Sequence, residues 1–244
     1  MTDKKDLMGR TAPGEIAATS GSSAVDAFLG DAKRLSPTIE GRPRGRLVFA
    51  LDATMSRQPT WDLACQLQGD MFEAASQIGG LSVQLVYFRG FDECRASRWV
   101  VEPAALTAMM SQIDVRGGHT QIIRVLRHLR TETAKIPVNA FVLVGDAVEE
   151  PLDEICALAG ELGLLGVKGF LFHEGKDPAA MQGFQEMARL TNGAYAHFDI
   201  GAPQVLAGLL RAAAVYASGG HEALERLAWS EDAARRLLSV MGSR

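Results

Sequence analysis

RLVFALDATMS, residues 46–56, decides the fold. Its first half is a short apolar run bounded by polar residues. A strand buried on both faces reads as a continuous apolar run, because helices cover it on each side. Residues 46–52 are therefore predicted to form an interior strand of a parallel sheet. In extended backbone, alternate residues point the same way. Asp52, Thr54 and Ser56 would then present one carboxylate and two hydroxyls on one side, just past the strand. Apolar residues at helical spacing follow, namely Trp61, Leu63, Ala64, Leu67, Met71, Phe72 and Ala75. They predict a helix from Pro59 to Ile78, ended by Gly79-Gly80.

The same alternation continues outward. LSVQLVYFR (81–89) reads as a strand, and FDECRASRWVV (91–101) as a hairpin arm on the sheet edge. Residues 102–113 read as a helix with Pro103 in its first turn. A glycine-rich loop, RGGHT (116–120), leads into a helix over 121–135. VNAFVLVGD (138–146) is a very apolar strand, and a helix starts near Pro151. VKGFLFH (167–173) is a strand, residues 178–190 a helix, NGAYAHF (192–198) a last strand, and a helix runs from about Pro203 to Tyr216. Strands alternating with helices specify a doubly wound α/β domain, a mostly parallel Rossmann-like sheet with helices on both faces.

The flanks differ from this core. Residues 1–21 are polar and small and cannot bury enough surface to stay ordered. Val25, Phe28, Leu29, Ala32 and Leu35 share one helical face, and SPTIEGRPRG (36–45) reads as a linker. Residues 1–44 are thus expected to be a disordered segment with a short amphipathic helix, and 45–217 the α/β domain. Gly219-Gly220 breaks the chain before HEALERLAWSEDAARRLLSVM, so 218–244 is expected to be a C-terminal helical extension.

Bulk properties narrow the function. Of 244 residues, 47% are apolar, enough for a sizeable core. The net charge of -4 makes the chain a poor candidate for binding a nucleic-acid backbone, which needs a concentrated basic face. Three widely spaced cysteines, Cys65, Cys94 and Cys156, form no zinc-ligand spacing and fit free thiols in a reducing compartment. No signal-peptide core and no apolar run of about 18 residues is present. The expectation is a cytoplasmic chain with neither a membrane nor a nucleic-acid partner.

In open α/β sheets, ligands bind past the carboxyl ends of the strands, where strand order reverses. Asp52, Thr54 and Ser56 follow one strand, Asp146 follows another, and Thr120 lies in the glycine-rich loop just before a helix. These oxygen donors suit a hard cation such as Mg2+ or Mn2+. Two carboxylates neutralise a divalent ion formally, and hydroxyls add no charge, so the metal keeps its appetite for an outside anion. Glu149 and Glu150 are expected to flank a helix start, where the dipole favours negative charge. His119 reads as a loop histidine, His173 and His197 as strand-end residues, and Asp62 as solvated. Trp61 and Trp99 read as packing residues. Arg57, Arg89, Arg95 and Arg98 are candidates for a rim that selects acidic partners.

The set Asp52-x-Thr54-x-Ser56, Thr120 and Asp146 resembles the metal-ion-dependent adhesion site of the von Willebrand factor A (VWA) domain family, in that family's order and with similar separations. The chain looks like a bacterial-type, cytosolic member, with the resemblance covering roughly residues 45–217. It departs from the pattern at Thr54, where serine is usual, and at Ala147, where glycine commonly follows the aspartate. The resemblance implies a non-enzymatic module in which an Asp or Glu of a protein partner completes the coordination of the metal. Two alternatives stay open. One is a haloacid dehalogenase-like phosphohydrolase, with Asp52 as nucleophile, Asp146 as magnesium ligand and Lys135 as phosphate clamp. The other is a metal-independent interaction scaffold. No Walker A, G-x-G-x-x-G or G-x-S-x-G motif is present.

Overall fold

The computed structural model describes residues 44–55, 58–199 and 201–241. All of them lie within one compact unit, Thr38–Arg244. The expected amphipathic helix and almost all of the expected N-terminal segment lie outside the described residues, as do Ser56 and Arg57.

The apolar run after the linker forms β1 (Gly45–Asp52), and α1 (Gln58–Ser76) follows. Then come β2 (Leu81–Arg89), β3 (Glu93–Val100), α2 (Pro103–Met110), α3 (Ile122–Lys135) and β4 (Ala140–Gly145). The chain continues through α4 (Leu152–Leu164), β5 (Lys168–Glu174), α5 (Pro178–Leu190), β6 (Ala194–Phe198), α6 (Pro203–Ala228) and α7 (Asp232–Met241). The strands form one six-stranded sheet in the order β3-β2-β1-β4-β5-β6. All neighbours are parallel except the edge pair β2/β3, the hairpin arm the sequence suggested.

The pleat of β1 sorts its side chains between two cores. Leu47, Phe49 and Leu51 pack with residues of α1, α2, α6 and α7. Val48 and Ala50 pack with α3, α4 and α5. Both faces are covered, which explains why β1 and β4 are apolar at consecutive positions rather than alternate ones. The last helices differ from expectation in extent. Helix α6 runs on to Ala228, with non-helical backbone at Gly220 (φ 69°, ψ -161°). A positive φ of this kind costs glycine little, so the chain bends there and resumes its helix. Leu224, Ala228, Ala234 and Leu237 beyond the bend belong to the same core as β1.

This wiring creates a switch point. From β1 the chain steps to β2 and β3 on one side, and later from β4 to β5 and β6 on the other. The loops after β1 and β4 therefore diverge to opposite faces and leave a crevice at the carboxyl edge.

Candidate metal centre

Asp52 ends β1 and is 4% exposed, and Thr54, two residues on, is 7% exposed. The Thr54 N–H donates to Asp52 Oδ1 at 2.8 Å. This Asx-type turn lifts the chain out of the strand and fixes the carboxylate at its end. Between them, Ala53 N–H donates to Phe88 O at 2.9 Å and Ala53 O accepts from Arg116 N–H at 3.0 Å. The end of β1 is thus tied both to β2 and to the glycine-rich loop.

Asp146 immediately follows β4. Leu51 pairs with Val144 in the ladder, which sets Asp52 beside Gly145 and one residue short of Asp146. Gly145 leaves room at this point, since a Cβ there would stand 4.0 Å from the Asp52 Cβ and 3.3 Å from the Phe184 ring. The two carboxylates come from neighbouring strand ends on either side of the switch point.

Thr120 is buried just before α3. Its N–H donates to Glu149 Oε2 at 2.8 Å, and its Oγ1 accepts from the Glu149 N–H at 3.0 Å. Glu149 also meets His119 Nδ1 at 3.1 Å. Helix α3 has no side-chain cap of its own. The Glu150 carboxylate supplies one, accepting from Ile122 N–H and, at 3.0 Å, from Ile123 N–H. A helix leaves its first N–H groups without intrahelical partners, and a carboxylate there meets both that need and the helix dipole. The Thr120 N–H, followed by His119, holds Glu149 below the usual carboxylate range. Burial pushes Glu150 upward against its hydrogen bonds from Ile123, Ile122 and Thr120. The helix start these glutamates serve is that of α3, across the crevice, rather than that of α4, which they precede.

Other sequence candidates fall in different places. Arg89 and Arg95 both bond to Glu93, at 2.9 and 2.8 Å, and so brace the sheet edge. Trp61 is buried and meets Tyr87 edge-on at 6.2 Å. Trp99 lies under the Arg46 guanidinium and donates to Glu132 at 2.9 Å. His173 is fully buried on β5 opposite Gly145, with its Nδ1 3.1 Å from the Tyr195 hydroxyl. Burial, followed by the neighbouring His197, lowers its pKa, which favours a neutral ring. Lys135 closes α3 and bonds to Glu132 at 2.7 Å. The next residue, Ile136, meets Arg46 at the start of β1. Lys135 therefore sits by the amino ends of the strands, at the opposite edge from Asp52. Lys135 is therefore not placed to act as the phosphate clamp suggested for it in the phosphohydrolase alternative.

The donors of Asp52, Thr54, Thr120 and Asp146 are of the kind a hard cation prefers. Asp52, Thr54, Thr120 and Asp146 offer only oxygen, and no group of three or more His, Cys, Asp or Glu suited to a metal occurs among the described residues. Such a donor set disfavours the soft metals that thiolate or imidazole would select. Among the described residues no helix is long and apolar enough to cross a membrane.

No protein-family model matches the sequence, and no curated protein is significantly similar to it. Similarity appears at the level of structure. The VWA domain of SpRpn10 superposes with a TM-score of 0.54 at 12% identity, over 67% of this chain and 95% of that domain. Proximal thread matrix protein 1 from the mussel byssus gives 0.57 at 14% identity, over 71% of this chain and 47% of its own length. A structure of that protein with a zinc-occupied MIDAS motif gives 0.50 at 15% identity, covering 79% of this chain and 52% of that one. The chain thus spans all but a small part of the SpRpn10 domain and about half of the mussel protein, and its fold is that of the VWA domains.

Proposed function

We propose that the chain is a non-enzymatic, divalent-cation-dependent protein-binding module. Asp52, Thr54, Ser56, Thr120 and Asp146 would hold Mg2+ or Mn2+ at the carboxyl edge of the sheet, and an Asp or Glu of a protein partner would complete the coordination. The observation that carries this reading is the pair of strand-end carboxylates, Asp52 and Asp146, on adjacent strands at the switch point and joined to hydroxyl-bearing loops. Thr120 is compatible with it, because a hydroxyl that accepts one hydrogen bond keeps a second lone pair. Glu149 and Glu150 add negative charge nearby, but their oxygens are directed to the Thr120 loop and the start of α3. When bound, the cation would supply an electrophilic position open to an external carboxylate. The zinc-occupied MIDAS motif of the mussel protein supports a metal-binding reading for this fold. The all-oxygen donors here favour Mg2+ or Mn2+ over zinc. A cytoplasmic setting without nucleic-acid or membrane partners belongs to the same proposal.

The test is a thermal melt of the full chain with millimolar Mg2+ or Mn2+. A ligand that binds only the native state raises its stability. The wild type should gain several degrees, and Asp52→Ala and Asp146→Ala should gain none. An unchanged wild-type melt at millimolar metal would remove the cation from the proposal and leave the metal-independent scaffold. Phosphomonoester turnover that is lost in Asp52→Ala would return the enzyme reading.

A further inference from the structure

We propose that Phe91 and His119 form a second recognition element beside the cation position, an aromatic platform that selects partners with an apolar side chain one or two residues from the acidic one. The proposal rests on the cation-dependent reading above. Phe91 is 77% exposed at the turn between β2 and β3. An exposed phenylalanine adds nothing to the core, and a hairpin turn has no need of one. Yet this turn is held from several directions, all by the loop and helix that carry Thr120.

The hold is specific. The Gly118 backbone lies against Gly90 so closely that a Cβ at Gly118 would stand 2.0 Å from Gly90 O. His119 N–H donates to Gly90 O at 3.1 Å. Gln121 Nε2 donates to Arg89 O at 3.2 Å and to Gly90 O at 3.3 Å. Arg124 Nη1 donates to Asp92 O at 2.8 Å. The His119 ring stands edge-on to Phe91 at 5.1 Å and is held on its other side by Glu149. The backbone of the Phe91 turn is therefore tied to the loop that carries Thr120, and the ring leans on His119, the neighbour of Thr120 in the chain. Aromatic side chains fixed before binding lose little entropy on contact and are the usual anchors of interfaces. Met55, 66% exposed on the loop after β1, adds apolar surface at the same edge of the sheet.

Charge decides what the platform accepts. A basic partner side chain would suit the face of Phe91, but the adjacent divalent ion would repel it. A second acidic side chain would meet the Glu149 carboxylate, which stands against His119. An apolar side chain meets neither penalty. In an extended peptide, residues two apart lie about 7 Å from each other and point the same way, which is the spacing the proposal assigns to the two side chains.

The test uses random linear peptides displayed on phage. They are selected against the full chain in millimolar Mg2+ and eluted with EDTA, in parallel with Phe91→Ser and Asp146→Ala. The wild-type pool should be enriched in Asp or Glu with Leu, Ile, Phe, Trp or Met within two positions. Phe91→Ser should keep the acidic residue and lose roughly tenfold of the apolar enrichment. Asp146→Ala should yield no EDTA-eluted pool. Enrichment of acidic residues alone, or equal apolar enrichment in wild type and Phe91→Ser, would overturn the platform and leave the cation site standing. No EDTA-eluted pool from the wild type would overturn both.

Discussion

Thr120 and Glu149 exchange hydrogen bonds, each donating its backbone N–H to the other's side-chain oxygen, at 2.8 and 3.0 Å. This reciprocal pair latches the glycine-rich loop onto the loop after β4, and so fixes Thr120 relative to Asp146. Glu149→Ala removes the acceptor of the Thr120 N–H and of His119. The Glu149 side chain is 44% exposed, so water replaces part of what is lost. The expected destabilisation is about 1 kcal/mol, read as a lower urea midpoint with an unchanged slope. Glu149→Gln, which keeps an acceptor oxygen, should recover part of it. Equal stability of wild type and Glu149→Ala would mean that the latch contributes nothing.

Two adjacent glycines in the same loop should behave differently. A Cβ at Gly118 would collide with the Gly90 backbone, whereas nothing lies within 4 Å of a Cβ at Gly117. Backbone cannot yield as a flexible side chain can. Gly118→Ala is expected to cost about 2 kcal/mol or more, and Gly117→Ala to stay within roughly 0.5 kcal/mol of wild type. Chemical denaturation of the two variants checks this. In the phage selection, Gly118→Ala should also weaken the apolar preference, because it displaces the Phe91 turn.

The reach of the sequence follows from what is local. The runs ending at Asp52 and Gly145 read as buried strands because burial on both faces leaves its mark on consecutive residues. The positions of Asp52 and Asp146 then follow from where those runs stop. Glu150 was not legible in the same way. It looks like the start of the helix after Pro151, but its carboxylate caps α3 at residues 27 and 28 positions earlier in the chain. That partnership depends on how two loops meet, which no local pattern encodes. Gly117 and Gly118 likewise read as an undifferentiated doublet until Gly90 is brought against one of them. Ser56 lies outside the described residues, so its place among the ligands rests on spacing alone.

The edge strand should give a distinct acid signature. Glu93 is held at a pKa of about 2, chiefly by its hydrogen bond from Arg89 and also by Arg95. A carboxylate whose pKa is depressed by folding adds stability above its unfolded pKa, near 4.3, and loses it as pH falls toward the folded value. Its side chain is 24% exposed, and solvent screening reduces what the full shift would give, to about 1–2 kcal/mol. Wild type should therefore exceed Glu93→Gln by that amount above pH 5, and the two should converge near pH 2. Urea midpoints across this range measure it. A constant difference at every pH would assign the effect to packing rather than to charge.

The last helix should unfold with the sheet rather than separately. Leu237 of α7 is fully buried in the core that also contains Phe49 and Leu51 of β1. Removing its side-chain carbons forfeits their transfer energy and leaves a cavity, for a cost of about 2–5 kcal/mol. Val240, on the same helix, is 38% exposed, and Val240→Ala should stay within roughly 0.5 kcal/mol of wild type. Because the helix shares a core with the central strand, Leu237→Ala should shift the whole unfolding transition. Far-ultraviolet circular dichroism and tryptophan fluorescence should move together. If Leu237→Ala left the main transition in place and lost only a small helical signal at low denaturant, α7 would be an appendage despite its burial.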